Sequence, residues 1–171
     1  MKQLLVVVDM QNDFVTGALG TAEAQAIVDN VVRLCQAAVD NGNEVVFTRD
    51  THGENYLSTQ EGARLPVQHC IKGTWGWQIV DQLAQYATNV IDKPTFGSVN
   101  LAQYVKDGGF DVVNLVGLCT DICVISNAML IKAYSTEAKV VVHANCCAGV
   151  TPASHSNALE AMKMCQIEVV Y

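Results

Sequence analysis

Clusters of basic residues are missing from this sequence. Its ten lysines and arginines are dispersed and outnumbered by seventeen acidic residues, for a formal net charge of −7. Following a phosphate backbone or an anionic bilayer requires grouped cations, so neither nucleic acid nor a membrane surface is an expected partner, and a small molecule is the default ligand. Also missing is any charge-free apolar stretch long enough to span a membrane. The first apolar run, Leu4 to Val8, stops at Asp9 and reads as a strand rather than a signal peptide. The seven cysteines are odd in number and scattered without a disulfide-like framework, which predicts a reduced, cytoplasmic protein. Repeats and linkers are absent and prolines are few, while half of the 171 residues are apolar, so one well-cored domain over residues 1–171 is expected.

What is present alternates. Gln3 to Val8 is an apolar run without a polar face, as in a strand covered on both sides. Ala22 to Asp40 places Ile27, Val31, Leu34, Cys35 and Ala38 at helical spacing and ends at Asn41-Gly42-Asn43. Glu44 to Thr48 predicts a second strand with Arg49-Asp50 at its end. From Thr51 to Trp75 periodicity is lost, and a loop of that length implies function. Trp77 to Tyr86 predicts a helix, Asn89 to Asp92 a short strand and Val99 to Lys106 another helix. The run Val112 to Val116 leads through a tight turn into a helix reaching Ala133. Lys139 to Val142, Ala153 to Met164 and Gln166 to Val170 read as strand, helix and strand. This alternation specifies an α/β fold, a parallel sheet with helices on both faces.

Ligands of such sheets sit beyond the C-terminal ends of the strands. Asp9 follows the first strand, Asp50 and His52 the second, Lys93 the third and Cys123 the fourth. With Thr120 as N-cap, Cys123 falls at the third helical position, where free N–H groups and the helix dipole favour a thiolate. Each residue has a plainer alternative: Asp9 as a turn residue, Lys93 as a solvated surface lysine, Cys123 as a small buried apolar side chain. Asp50 and His52, two residues apart, project the same way from extended chain, and Glu61 and His69 add two ligand-type groups in one loop, which suggests a metal site. Cys119-x-x-x-Cys123 lacks a second ligand pair, and Cys146-Cys147 reads as ordinary packing.

The motifs Val8-Asp9-Met10-Gln11-Asn12-Asp13-Phe14, Thr48-Arg49-Asp50-Thr51-His52, Leu65-Pro66-Val67-Gln68-His69-Cys70, Asp92-Lys93-Pro94 and Gly117-Leu118-Cys119-Thr120-Asp121-Ile122-Cys123-Val124 together resemble the isochorismatase-like cysteine hydrolases, most of all the nicotinamidases, or pyrazinamidases. The resemblance covers nearly the whole chain. It implies a three-layer αβα sandwich with a six-stranded parallel sheet in the order 3-2-1-4-5-6. It further implies a triad of Asp9, Lys93 and Cys123, and a cis peptide between Leu118 and Cys119. One divalent metal ion (zinc, manganese or iron) is implied on Asp50, His52, Glu61 and His69, with Glu54 as the substitute for Glu61. Relatives are commonly dimers or tetramers, which implies a homo-oligomer. Where family members usually carry alanine this chain has Cys119, a second thiol near the site. Phe14, Trp75 and Phe96 are candidate ring contacts, each with a core role as the alternative.

Those residue types imply a mechanism. Lys93 and the helix N-terminus depress the pKa of Cys123, Asp9 accepts its proton and returns one to the leaving ammonia, and the N–H groups of Cys119 and Cys123 stabilise the oxyanion. A thioester acyl-enzyme then hydrolyses, and the metal binds the ring nitrogen. The expected reaction is hydrolysis of a small amide, nicotinamide to nicotinate and ammonia, within NAD metabolism. The alternatives are a family hydrolase of another small amide, such as an N-carbamoyl amide, or a thiol-based redox or binding module using Cys119 and Cys123. Cleavage of an isochorismate-type vinyl ether would leave Cys123 without a task.

Overall fold

The unbroken apolar runs become strands of one sheet. In the computed structural model, which describes residues 1–171, β1 (Gln3–Val8), β2 (Glu44–Asp50), β3 (Val90–Lys93), β4 (Val112–Leu118), β5 (Lys139–Ala148) and β6 (Glu168–Val170) lie in the order 3-2-1-4-5-6. Every neighbouring pair is parallel. The helices are α1 (Asn12–Val15), α2 (Ala22–Asp40), α3 (Gln60–Arg64), α4 (Asp81–Ala84), α5 (Val99–Gly108), α6 (Ile125–Tyr134) and α7 (Pro152–Met164). Alternate side chains of β1 enter two cores: Leu4, Val6 and Val8 pack with α5, α6 and α7, while Leu5 and Val7 pack with α1, α2 and α4. Burying each such side chain contributes about 1.5–3 kcal/mol, so both layers are needed to keep an all-apolar central strand from water. No helix is long and apolar enough to cross a membrane.

Helix α2 forms where the spacing predicts it. The Thr21 side chain accepts from the Ala24 N–H at 3.0 Å, Ile27, Val28, Val31, Cys35 and Ala38 make its buried stripe, and Gly42, with φ of 71°, follows its end.

Four elements differ from the expectation. Trp77 to Tyr86 is helical only over Asp81–Ala84, because Ile79 bridges antiparallel to Gln11 in the segment after β1. The Asn12 N–H donates to Gln78 O at 2.9 Å and the Val80 N–H to Met10 O at 3.0 Å. The Thr51–Trp75 loop contains a 3₁₀ turn at Tyr56–Ser58 and then α3, capped by Thr59. Strand β5 continues past Val142 to Ala148, across a shift in register that sets Leu115 against Val142 but Gly117 against Cys147. The extra residues change the face each side chain takes, so Val140, Val142 and Ala144 enter one core and Cys146 and Ala148 the other. Gln166, with φ of 61°, turns the chain before β6, which begins at Glu168.

The chain runs from β1 outward to β3, then returns to place β4 on the other side of β1. The reversal lies between β1 and β4, and a crevice opens there beyond the strand ends.

Candidate active site

Three strand ends bring three side chains into contact. Asp9 follows β1 in the left-handed region, φ 48°, a conformation that costs a non-glycine residue strain and turns its carboxylate into the crevice. The Thr48 hydroxyl donates to Asp9 Oδ1 at 2.7 Å. Lys93, the last residue of β3, reaches across β2 and places Nζ 2.6 Å from Asp9 Oδ2, 3.4 Å from Asp50 Oδ1 and 3.4 Å from Cys123 Sγ. It also donates to Thr95 O at 3.0 Å. Asp9, Lys93 and Cys123 are all buried, Lys93 with 1 % of its surface exposed, so the surface-lysine alternative does not hold.

One buried cation serves several anions. Burial disfavours the charged amine, but the negative charges around it, Asp9 first, hold Lys93 cationic well above the ordinary lysine range. Burial raises Asp9 above the usual carboxylate range against the pull of Lys93. Cys123 departs from the expectation of a depressed pKa: burial pushes its thiol well up, the Asp9 charge adds to this, and Lys93 offsets only part of it. The resting state is therefore a thiol beside a carboxylate of raised proton affinity. Asp9 Oδ2 lies 2.6 Å from the Lys93 ammonium, and its carboxylate is the basic group beside the Cys123 thiol.

The turn bearing Cys123 follows β4 directly. The Leu118–Cys119 peptide is cis, as the resemblance implies. Residues Thr120–Val124 make a single wide turn in which the Val124 N–H donates to Cys119 O, five residues back, at 3.0 Å. Thr120 lies inside this turn and does not cap it: its hydroxyl bonds His155 Nδ1 at 2.7 Å, and Cys123 is the fourth residue of the turn rather than the third. The Cys119 N–H makes no hydrogen bond. Asn127, one helical turn on, donates to Cys123 O at 2.8 Å and accepts from the Ser98 N–H at 2.9 Å, tying the turn to the start of α5.

Beside this cluster four ligand-type side chains converge. One ligand atom each from Asp50, His52, Glu61 and His69 lies within 4.8 Å of the others. Asp50 Oδ2 is 2.9 Å from His52 Nε2 and 3.6 Å from His69 Nε2, and Glu61 Oε1 is 3.7 and 3.8 Å from the same nitrogens. His69 Nδ1 faces the Val67 carbonyl at 2.8 Å, which places a proton there and turns Nε2 toward the group. Burial opposes ionisation of Asp50, but the His52 hydrogen bond, the nearby His69 ring and the Lys93 charge hold its carboxyl well below the usual range. Two imidazoles and two carboxylates with convergent donor atoms fit a divalent cation. Glu54 is exposed and outside the group, whereas Glu61 stands with Asp50, His52 and His69.

Local packing explains that placement. Glu61 is set by α3, whose Gly62 N–H donates to Thr59 Oγ1 at 3.0 Å and whose Gly62 packs directly against the Tyr56 backbone. The fully buried Tyr56 ring lies 4.8 Å from His52 and 5.0 Å from His69 between centroids. Sequence reasoning missed Gln11, which accepts from the Asp50 N–H at 2.7 Å and donates to Asp50 O at 2.8 Å. It also missed Asp13, which accepts the Cys70 N–H at 2.8 Å beside His69. Both stand in the quoted first motif, so their proximity to Asp9 was the available signal.

A cavity of about 290 Å³ joins the two groups, with Asp50, Glu61, His69, Cys119 and Cys123 at its base. Phe14 and Phe96 line it, as do Leu19, Leu65, Ile122 and Val150, which nothing in the local sequence singles out. Trp75 does not: 58 % exposed, it contributes only a carbonyl that accepts from Asn12 Nδ2 at 2.8 Å. The volume lies at the small end of ligand pockets, about 300–1,000 Å³, and suits a single small ring.

The family model described as the isochorismatase domain matches residues 3–170. The chain belongs to the isochorismatase family. Among the solved structures of isochorismatase-family proteins similar to it, nicotinamidase PncA from Bacillus subtilis is 31 % identical with a TM-score of 0.87, covering 100 % of both chains. Pyrazinamidase of Pyrococcus horikoshii, solved in complex with zinc, is 29 % identical with a TM-score of 0.87 over 99 % of each chain. A nicotinamidase of Saccharomyces cerevisiae is 28 % identical over 73 % of this chain and 79 % of its own.

Proposed function

We propose that this amidohydrolase of the isochorismatase family converts nicotinamide to nicotinate and ammonia, in the cytoplasm, as a step of NAD metabolism. The observation that carries the reading is the Lys93 ammonium, 2.6 Å from Asp9 and 3.4 Å from the Cys123 sulfur, opening on a cavity that also holds a metal-type donor group. As Cys123 Sγ attacks the amide carbon, its proton passes to Asp9, and Lys93 offsets the negative charge that moves between them. The N–H groups of Cys119 and Cys123 receive the oxyanion, each lowering the barrier by about 3–4 kcal/mol. Asp9 returns the proton to the departing ammonia, leaving a thioester. Water, deprotonated by Asp9, cleaves the thioester and releases the carboxylate. A zinc, manganese or iron ion held by Asp50, His52, Glu61 and His69 would supply a coordination point for a pyridine nitrogen. Phe14 and Phe96 flank the ring.

Ammonia release from nicotinamide, pyrazinamide and benzamide, before and after chelation, tests this. Nicotinamide and pyrazinamide are expected to be turned over and benzamide poorly, because its ring has no nitrogen to coordinate. Chelation is expected to weaken nicotinamide binding and slow turnover through misplacement, with alkylation of Cys123 by a small reagent nearly unchanged. If benzamide equals nicotinamide and chelation changes nothing, ring recognition by a metal is wrong.

A further inference from the structure

Thr120 has no exposed surface, and its hydroxyl has a single hydrogen-bond partner, Nδ1 of His155. A threonine at the start of a turn commonly folds its hydroxyl back onto an N–H two or three residues on. Here the hydroxyl points instead to another element, 35 residues away in sequence. The next residue, Asp121, accepts the Val150 N–H on both carboxylate oxygens, at 3.2 and 3.3 Å. The turn is thus held twice by the segment that enters α7.

That segment is itself firmly placed. Thr151 and Ser154 form a reciprocal cap at the head of α7, and the His155 N–H donates to Thr151 O at 3.0 Å. Gly149 passes so close beneath that a methyl group there would come within 2.9 Å of the His155 backbone. Burial lowers the proton affinity of His155, with Asp121 opposing, so the ring is neutral near pH 7. A hydroxyl both donates and accepts, so Thr120 pairs with Nδ1 in either tautomer of the neutral ring.

On the other side of Thr120 is the peptide unit of Cys119. Its carbonyl accepts the N–H groups of Ile122 at 3.1 Å and Val124 at 3.0 Å, and its own N–H is free. Rotation at Thr120 would carry both that carbonyl and Cys123 with it. His155 does not line the cavity and touches no reacting atom.

We infer that His155 is a positioning residue for the nucleophile: through the Thr120 hydroxyl it fixes the turn that presents Cys123 and the free Cys119 N–H to the substrate. The inference rests on the cysteine-hydrolase reading above.

The test uses His155→Ala and Thr120→Val, which remove either end of the bond, and His155→Asn and Thr120→Ser, which keep a polar atom near the same place. The first two are expected to lower kcat about tenfold to a hundredfold, as a misplacement of about 1 Å does, with KM and metal content unchanged. Thr120→Ser and His155→Asn should recover most of the loss, and Thr120→Val combined with His155→Ala should be no slower than either alone. A second measurement needs no substrate: the alkylation rate of Cys123 by iodoacetamide, resolved by mass spectrometry, should fall in the same two variants while far-ultraviolet circular dichroism stays native. Should the wild type release no ammonia from any amide, the functional reading fails and alkylation alone decides. Parallel slowing supports the positioning role. Variants that lower only Tm, raise KM as much as they lower kcat, or add independently in the double variant overturn it.

Discussion

Cys123→Ala is expected to abolish ammonia release, with kcat falling by a factor on the order of 10⁴ or more, while nicotinamide still binds. The reaction proposed here has no route to a thioester without that sulfur, and removing a nucleophile that acts as a unit with its base costs about as much as removing the whole constellation. Binding should survive because the aromatic walls Phe14 and Phe96 and the donor group of Asp50, His52, Glu61 and His69 are separate side chains. The removed thiol is small, and its cavity already opens to ligand, so folding should change little. Cys119→Ala is the control. It deletes a second thiol from the cavity base but keeps the backbone N–H, so turnover within a few-fold of wild type is expected. Calorimetric titration with nicotinamide and a coupled ammonia assay separate the two variants. Residual turnover in Cys123→Ala comparable to wild type would remove the covalent mechanism.

Lys93→Met should give the largest loss of stability of any change at the site, about 3–5 kcal/mol, because it leaves buried carboxylates without their cation. Asp9 and Asp50 are both buried and both lie within 3.4 Å of Lys93 Nζ. The sign with pH follows from Asp9. Its folded pKa is already raised, and removal of a cation that lowers it raises it further, so the variant's deficit is present at neutral pH and shrinks as Asp9 takes up a proton on acidification. In the wild type the raised pKa of Lys93 gives the opposite limit: its pairing contributes fully below the ordinary lysine value and is lost as pH rises through the folded value. Urea unfolding of both proteins at about pH 8 and about pH 5 reads the difference. Alkylation of Cys123 in the variant should also shift to higher pH, since Lys93 is the group that lowers that thiol's pKa. A stability difference that does not narrow at the lower pH would mean that Asp9 is not the group left uncompensated.

The strands were legible because parallel strands covered on both faces have no reason to carry polar residues, and Leu4 to Val8 or Val112 to Val116 can hardly be read otherwise. Site residues at the strand ends were legible for a related reason: a charged or nucleophilic side chain just after an apolar run has one direction in which to face. Most of the failures come from partners distant in sequence. Gln78 to Val80 satisfies a helical spacing, but its backbone pairs with Met10 and Asn12, which local periodicity cannot register. Thr120 has the chemistry of a cap, yet its hydroxyl meets His155 instead. The neutral Cys123 thiol follows from burial and from two carboxylates competing for one lysine, a balance invisible until Asp50 is known to approach Lys93 as well as the histidines. Trp75 illustrates the converse, since an aromatic residue in a functional loop has no obligation to face the ligand.

That double approach of Asp50 constrains redesign. Through Oδ2 it meets His52 and His69, and through Oδ1 it stands 3.4 Å from Lys93. An engineer wishing to alter the hardness of the donor set has three positions, His52, Glu61 and His69, whose charged contacts stay within that set. The fourth is closed: an imidazole at position 50 would withdraw a charge from the lysine as well as from the donor group. Diversification of this scaffold toward other rings is therefore expected to run through the movable three and through the apolar wall, with the aspartate held constant as the common hinge of two otherwise separable inventions.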